Sequence, residues 1–468
     1  MRNVTSVLLL IVTGVHPRFA AAGEPQTPFD GDPLLDRLVG EAVEKKPEYA
    51  QARSAVAAER ERVPQAGALP DPTLTLGIQN DGFSSIQVGK METSFYQIAV
   101  TQPFYWPGKR GLQTGIASRQ VGVAEAQLER VRLGVEADVR RAYLDLLLAR
   151  DQLQLLERLE LLWKQSEELA KARYTVGEGP QSDLLRAQLE RTRLRQQRWD
   201  LELSERNRVQ ELNRLRSRPL DEPIATTRHL ADIADPPSPK LEDALADADA
   251  KSPELMEARA SVRLADERSA LARRERYPDF AVSAGVMPRG SLDPMWALSV
   301  SVGLPIWSGR KQGRAVVESE AREQGEKQGE ESIRQVLRLR TEQRAAQLET
   351  ALKQNQLYRQ MLLVQSDAAV ESTMSQYKVG RVTFASVLEA LSGYLADQAG
   401  YLESIAQAHR LAIAERELSL DPSGLGGGLA VRKVPGASMG GARAKGGASA
   451  PAEAPASGGA PSGTSGGM

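Results

Sequence analysis

The sequence contains no cysteine, which excludes disulfides, thiol nucleophiles and zinc–thiolate sites. Its three histidines, His16, His229 and His409, are too scattered to suggest a metal cluster. Aromatic residues are scarce, at 5%, which argues against a large compact globular core. An excess of either charge is missing too: 60 basic residues balance 61 acidic ones, interspersed as solvated helix faces would have them, so no nucleic-acid partner is expected. There is no nucleophile and base pairing, no phosphate loop and no metal spacing, so the residues suggest neither an enzyme nor a cofactor. Beyond the first residues, no segment reaches the roughly 18 to 20 consecutive apolar residues of a transmembrane helix.

What is abundant is Ala, Leu, Arg, Glu and Gln, a balance that predicts long helices and coiled coils. The opening MRNVTSVLLLIVTGVHPRFAAAGEP has a short basic start, an apolar run from Val4 to Val15 and small residues ending at Ala22. It reads as a cleaved secretory signal over residues 1–22, implying export. Residues 421–468 are almost entirely Gly, Ala, Ser and Pro, too poor in apolar surface to offset the entropy of ordering, and are expected to form a disordered tail.

Between these ends the chain is written twice. Lys46-Pro47-Glu48 aligns with Ser252-Pro253-Glu254; Trp106-Pro107-Gly108-Lys109 aligns with Trp307-Ser308-Gly309-Arg310; Tyr174, Val176 and Gly177 align with Tyr377, Val379 and Gly380. A first repeat over 23–225 and a second over 226–420 share one order: helix, two short alternating segments, very long helix, glycine bend, returning helix.

The alternating segments predict strands. Leu74, Leu76 and Ile78 lie on one face against Thr73, Thr75, Gly77 and Gln79 on the other. Tyr96, Ile98 and Val100 oppose Gln97, Ala99 and Thr101; Phe280, Val282 and Val286 oppose Ala281, Ser283 and Gly285; Trp296, Leu298, Val300 and Val302 oppose Ala297, Ser299, Ser301 and Gly303. Each pair is expected to be joined by a Gly, Ser and Asp-rich loop. Trp106 and Trp307 follow the second strand of each pair, where an interfacial aromatic belt would sit. Two half-buried soluble hairpins are the alternative.

Lys109 to Arg173 and Lys311 to Ser375 would each extend about 95 to 100 Å as continuous helix. The returning helices, Pro180 to Arg216 and Thr383 to Leu418, reach about 55 Å, and the preceding ones, Asp36 to Val63 and Lys240 to Arg274, about 40 to 55 Å. One long helix therefore matches two short ones end to end, with the proline-rich RPLDEPIATTRHLADIADPPSPK as a linker where the short helices meet. Leu148, Leu155, Leu162 and Leu169 repeat every seven residues, a ladder read as packing.

The expected fold is mainly α with a small membrane β part: long antiparallel helical hairpins plus four strands per chain. Four strands cannot close, and unpaired edges are not tolerated in hydrocarbon. Three chains would supply a twelve-stranded β-barrel above an α-barrel, with Gly77, Ala99, Gly285 and Gly303 on the inner face. A periplasmic coiled-coil scaffold or adaptor is the rival reading, and it accounts for neither the duplication nor the strands.

Over roughly Leu34 to Leu420 the sequence resembles the TolC outer-membrane efflux family. The resemblance rests on two helical tips: Tyr174, Gly177, Asp183, Leu184, Leu185, Ala187 and Gln188 at the first, and Tyr377, Gly380, Thr383, Val387, Leu388 and Ala390 at the second. It implies a homotrimeric tunnel in outer-membrane lipid, its periplasmic tips docking an adaptor and receiving cargo from an inner-membrane pump. It also implies a constriction lined by the acidic residue after the second Val-Leu, here Glu389, which is otherwise a solvated surface glutamate. Asp183 belongs either to the tip groove or to the favourable electrostatics of a helix N-terminus. Gly177 and Gly380 supply the bends, Pro180 suits a first helical turn and the Thr383 hydroxyl is expected to cap a helix.

The chain departs from the family where Pro180 replaces Ser or Thr, where Ser386 replaces Asp, and in lacking the N-terminal cysteine that anchors many relatives through a lipid. The stretches LPDPTLTLGIQ and TQPFYWPGKRG are similar to the heavy-metal branch of CusC and CzcC-like proteins, although Pro-Gly also suits any strand-to-helix junction.

Overall fold

The computed structural model describes residues 32–418 and Leu420; the expected secretory signal and Gly-rich tail lie outside the described residues. The first half runs α1 (Pro33–Lys45), α2 (Pro47–Gly67), β1 (Thr73–Gln79), β2 (Phe95–Phe104), α3 (Lys109–Thr175) and α4 (Gln181–Leu215). The second half runs α5 (Leu241–Lys251), α6 (Pro253–Arg274), β3 (Phe280–Arg289), β4 (Leu292–Val302), α7 (Gln312–Leu357), α8 (Leu363–Lys378) and α9 (Phe384–Glu417).

The helices before each strand pair are not single, as expected from their length, but broken in two. Pro47 and Pro253 each open a new helix; a proline lacks the N–H that a continuing helix needs and drives the residue before it out of helical geometry. Lys46 (ψ 124°) and Ser252 (ψ 123°) are accordingly extended. The second long helix also differs from expectation. Where α3 is unbroken, a single π turn over Tyr358–Leu362 separates α7 from α8. This turn is held from the linker: Asn355 Nδ2 donates to Asp235 Oδ1 at 3.1 Å, and Arg359 pairs with the same carboxylate. Gly400 makes room for it, since a Cβ there would lie 2.6 Å from the Tyr358 hydroxyl.

The strands form one antiparallel sheet in the order β1-β2-β3-β4, with Leu74 opposite Val100, Thr101 opposite Ser283 and Val282 opposite Val300. One pair of strands is joined by the expected Gly, Ser and Asp-rich loop, residues 80–94. The other turns tightly at Gly290-Ser291, where Gly290 has φ 65° and an added Cβ would come within 2.9 Å of the Gly89 backbone. Leu74, Leu76, Ile78, Tyr96, Ile98, Val100, Val286, Trp296, Leu298, Val300 and Val302 are all exposed, so an apolar face more than one strand wide meets the surroundings. Thr101 and Ser283, on the opposite face, join hydroxyls at 2.7 Å.

Below the first junction Trp106 stacks on Tyr277 with ring centres 5.5 Å apart, and the buried Lys109 ammonium donates to Asp279 Oδ1 at 2.8 Å. From there α3 runs the length of the helical body, packing first against α2 and α6 and then against α4 and α9. The side-by-side order at the far end is therefore α4, α3, α9 and α7/α8. The main core lies midway, where short helices meet: Tyr143 donates to Asp32 Oδ2 at 2.8 Å, and Leu230 of the linker is fully buried, its N–H donating to Asp151 Oδ2 at 2.6 Å. Leu148 and Leu155 of the leucine ladder are buried, and Leu162 and Leu169 half-buried against a second core nearer the bends. Among the described residues no helix is long and apolar enough to cross a membrane.

Candidate functional site at the paired hairpin tips

Both long helices end by the same device. Gly177 (φ 80°) and Gly380 (φ 77°) take the left-handed conformation that a side chain resists, and the N–H three residues beyond the tip tyrosine's neighbour closes the turn: Glu178 onto the Arg173 carbonyl and Arg381 onto the Gln376 carbonyl, each at 2.9 Å. Pro180 sits just before α4 as its N-cap rather than inside the first turn. Thr383 is the N-cap of α9, but its hydroxyl makes no capping bond to the helix and lies 3.4 Å from the Ser386 hydroxyl instead.

The two tip tyrosines, alike in sequence, have different environments. Tyr174 is 44% exposed, whereas Tyr377 is 1% exposed. The Tyr377 ring meets the edge of Phe384 at 5.5 Å, the Arg173 guanidinium lies over it at 4.9 Å, and its hydroxyl donates to Asp183 Oδ2 at 3.2 Å. Arg173 Nη1 also donates to the Tyr377 carbonyl at 2.9 Å, and Nη2 to the Glu178 carbonyl at 3.1 Å. One residue of the first hairpin thus donates to carbonyls in both bends. Burial first, then the Asp183 charge and hydrogen bond, push the Tyr377 phenol up to about 12.

Asp183 accordingly has two roles at once. It lies in the acidic first turn of α4, where a carboxylate is favoured by the helix N-terminus, and it accepts the bond from the second tip. The residues in the corresponding places of the second tip, Gln376 for Arg173 and Ser386 for Asp183, carry no charge, so the structure ties the tips in one sense only.

The remaining sequence-selected residues divide by burial. Ala187 and Val387 are fully buried between the hairpins, and Leu184, Leu388 and Ala390 are half-buried. Leu185, Gln188, Thr383 and Glu389 are exposed, with Gln188 donating to Glu167 Oε1 at 3.2 Å. Sequence reasoning used Val176 and Val379 only to align the two bends and did not select them or Arg173 as site residues. The two valines occupy the same place in both bends, between tyrosine and glycine, and both are strongly exposed, a repetition visible in the sequence. Arg173 has no such signal, because its counterpart is Gln376.

The family model described as outer membrane efflux protein matches two stretches, residues 38–217 and 244–418. No curated protein matches the chain in sequence. Among solved structures, the outer-membrane channel OprN superposes with a TM-score of 0.72 at 17% identity, covering 84% of this chain and 91% of its own. CusC, described in terms of folding and transmembrane channel formation, gives 0.70 at 17%, covering 82% and 92%. The open state of the MtrE outer membrane channel of Neisseria gonorrhoeae gives 0.69 at 18%, covering 82% and 89%. At these identities the likeness is one of fold, whereas the two matched stretches take in most of the sequence and follow its two halves. The chain belongs to the outer membrane efflux protein family.

Proposed function

We propose that this efflux channel is the exit duct of a tripartite system, in which three copies close a tunnel, a periplasmic adaptor docks at the helical tips and an inner-membrane pump supplies the cargo. The observation that carries the reading is the sheet: β1 and β4 are unpaired edges of a sheet whose apolar face is bare, and hydrocarbon tolerates neither an open edge nor fewer than about eight strands. Three copies supply twelve strands. A soluble scaffold or adaptor would have no use for an exposed face of Leu76, Trp296, Leu298 and Val300.

In this reading the opposite end is the entrance. Tyr174, Val176, Leu185 and Val379 give it an apolar, solvent-facing rim for an adaptor, while Tyr377, Ala187 and Val387 hold the rim in shape. Arg173, Tyr377 and Asp183 keep the two hairpins together, and Glu389, exposed one turn inside α9, supplies a ring of three carboxylates favouring cations. The test is native mass in mild detergent together with single-channel conductance in a planar bilayer. A conducting trimer is expected, with Glu389→Gln reducing cation preference; a monomer without conductance, or release from membranes by salt alone, would defeat the proposal.

A further inference from the structure

The second long helix carries one residue more than the first between its core and its tip. Leu337, Thr341, Arg344, Leu348 and Ala351 of α7 are buried, and each follows a buried residue of α3, in turn Val135, Val139, Ala142, Leu146 and Ala149, by 202 positions. Tyr377 and Gly380 follow Tyr174 and Gly177 by 203. The π turn lies between these two sets, and a turn closed from i to i+5 takes in one residue more than an α turn. Without it α7 would run on into α8, and every residue beyond would turn by about 100°. Tyr377 would leave Phe384 and Asp183, and Val370, buried in the same core as Leu391, would give up its place to the now exposed Ala369.

What holds the turn comes from the linker and suits this half alone. The segment from Leu230 to Asp235 straps three helices. Asp151 of α3 accepts the Leu230 N–H, the segment passes against α9, and the Asp235 carboxylate takes the Asn355 amide and the Arg359 guanidinium. Counted from the strands, Asn355 is a fully buried amide where α3 has Leu153, and Arg359 stands where α3 has Glu157. A carboxylate finds both an amide and a cation only on the second long helix. From the other side the Tyr358 ring meets Tyr401 of α9 at 6.0 Å, in the room left at Gly400.

We infer that the Asp235 carboxylate is a latch on the register of the second hairpin. Seated on Asn355 and Arg359, it keeps the additional residue in the π turn; unseated, it lets α7 run on as α-helix and turns α8 on α9. The two registers are discrete, so the linker at the middle of the helical body biases the tip about 27 Å away along the helix, the distance from Arg359 to Tyr377 at about 1.5 Å per residue. Every contact in this latch lies within one chain, so it stands or falls apart from the tunnel reading.

The absence of native cysteine lets disulfides read the register directly. In the full chain purified in mild detergent, mild oxidation should close Val370→Cys/Leu391→Cys in preference to Ala369→Cys/Leu391→Cys, scored within one chain by mass after alkylation. Adding Asp235→Asn should shift that preference roughly 10-fold toward Ala369, as expected for the loss of a charged hydrogen-bond partner, and Arg359→Gln should do the same. Hydrogen exchange over 358–378 should rise with it while exchange over 153–173 of α3 stays as it was. Deleting the exposed Gln360 removes the additional residue, so the Val370 preference should return and no longer respond to Asp235→Asn. An unchanged preference in both Asp235→Asn and Arg359→Gln overturns the latch. So does an equal rise in both disulfides, which marks a loosened helix rather than a turned one. If the deletion variant does not fold, Arg359→Gln decides, and none of these outcomes bears on whether three copies conduct.

Discussion

The Tyr377 hydroxyl donates to Asp183 Oδ2 at 3.2 Å, so the end of the second long helix is bonded to the first turn of the helix that returns from the first. It joins the side chains of the two hairpins at the tip, beside the 2.9 Å bond from Arg173 Nη1 to the Tyr377 carbonyl.

Tyr377→Phe removes the bond and leaves the ring in place. A single hydrogen bond of this kind contributes about 0.5–1.5 kcal/mol, so the equilibrium between tied and separated hairpins should shift roughly 2- to 10-fold. Faster hydrogen exchange at the tip amides and more frequent opening in single-channel records are the expected outcomes. Unchanged exchange would mean that Arg173 alone holds the tips. A folded-state phenol raised above its ordinary value of 10.0 stabilises the tip fully below that value and loses its contribution as pH rises through about 12. The bond should therefore be constant from pH 6 to 9, as opening frequency against pH would record.

Gly177→Ala and Gly380→Ala both place a side chain at positive φ, at a cost of roughly 1–2 kcal/mol each. They should not be equivalent. An added Cβ at Gly177 meets nothing within 4 Å, whereas at Gly380 it comes within 3.2 Å of Arg173 Nη2. Melting should fall in both variants, but only Gly380→Ala should also raise exchange at the first tip, because Arg173 must move.

The sheet predicts a contrast between faces. Leu298→Arg, on the exposed apolar face, should cost about 2–4 kcal/mol of folding into lipid vesicles if it lies near the bilayer midplane. Its chain neighbour Ser299, paired with Ser283 on the other face, should tolerate arginine with a much smaller loss. Equal costs in denaturant titrations would place lipid on neither face.

Burial pushes the His409 imidazole down to about 4 from its ordinary 6.5. Because the folded value is depressed, its neutral form contributes fully above pH 6.5, and stability falls as pH drops through about 4. His409→Leu cannot take up a proton, so the gap between wild-type and variant melting temperatures should narrow or reverse from pH 7 to pH 4. A constant gap would rule out His409 as a source of acid lability.

Much of this architecture is legible in residue patterns, because strand alternation and glycine bends are local. Leu74, Leu76 and Ile78 announce a strand wherever it pairs, and Gly177 and Gly380 mark bends whose closing bonds span only five residues. The unequal fates of Tyr174 and Tyr377 are not local: they depend on Arg173, 204 positions away from Tyr377, reaching across to its ring and carbonyl. The π turn is hidden for the same reason, since it is fixed by Asp235 in the linker and by the room left at Gly400. Pro47 and Pro253, in contrast, were visible all along as helix starts, and the expected single helices gave length more weight than the missing N–H.

The π turn reaches further than its five residues. One residue more in a helix of 3.6 per turn rotates everything beyond it by about 100° relative to the uninterrupted helix of the other half. Past Leu362 the two halves present different faces, and Arg173 and Asp183 at one tip stand where Gln376 and Ser386 stand at the other. A ring of three such chains would be three-fold and not six-fold at the tips. Anything that fits between neighbouring hairpins would then meet two kinds of groove in alternation, and a partner recognising one kind would bind in threes.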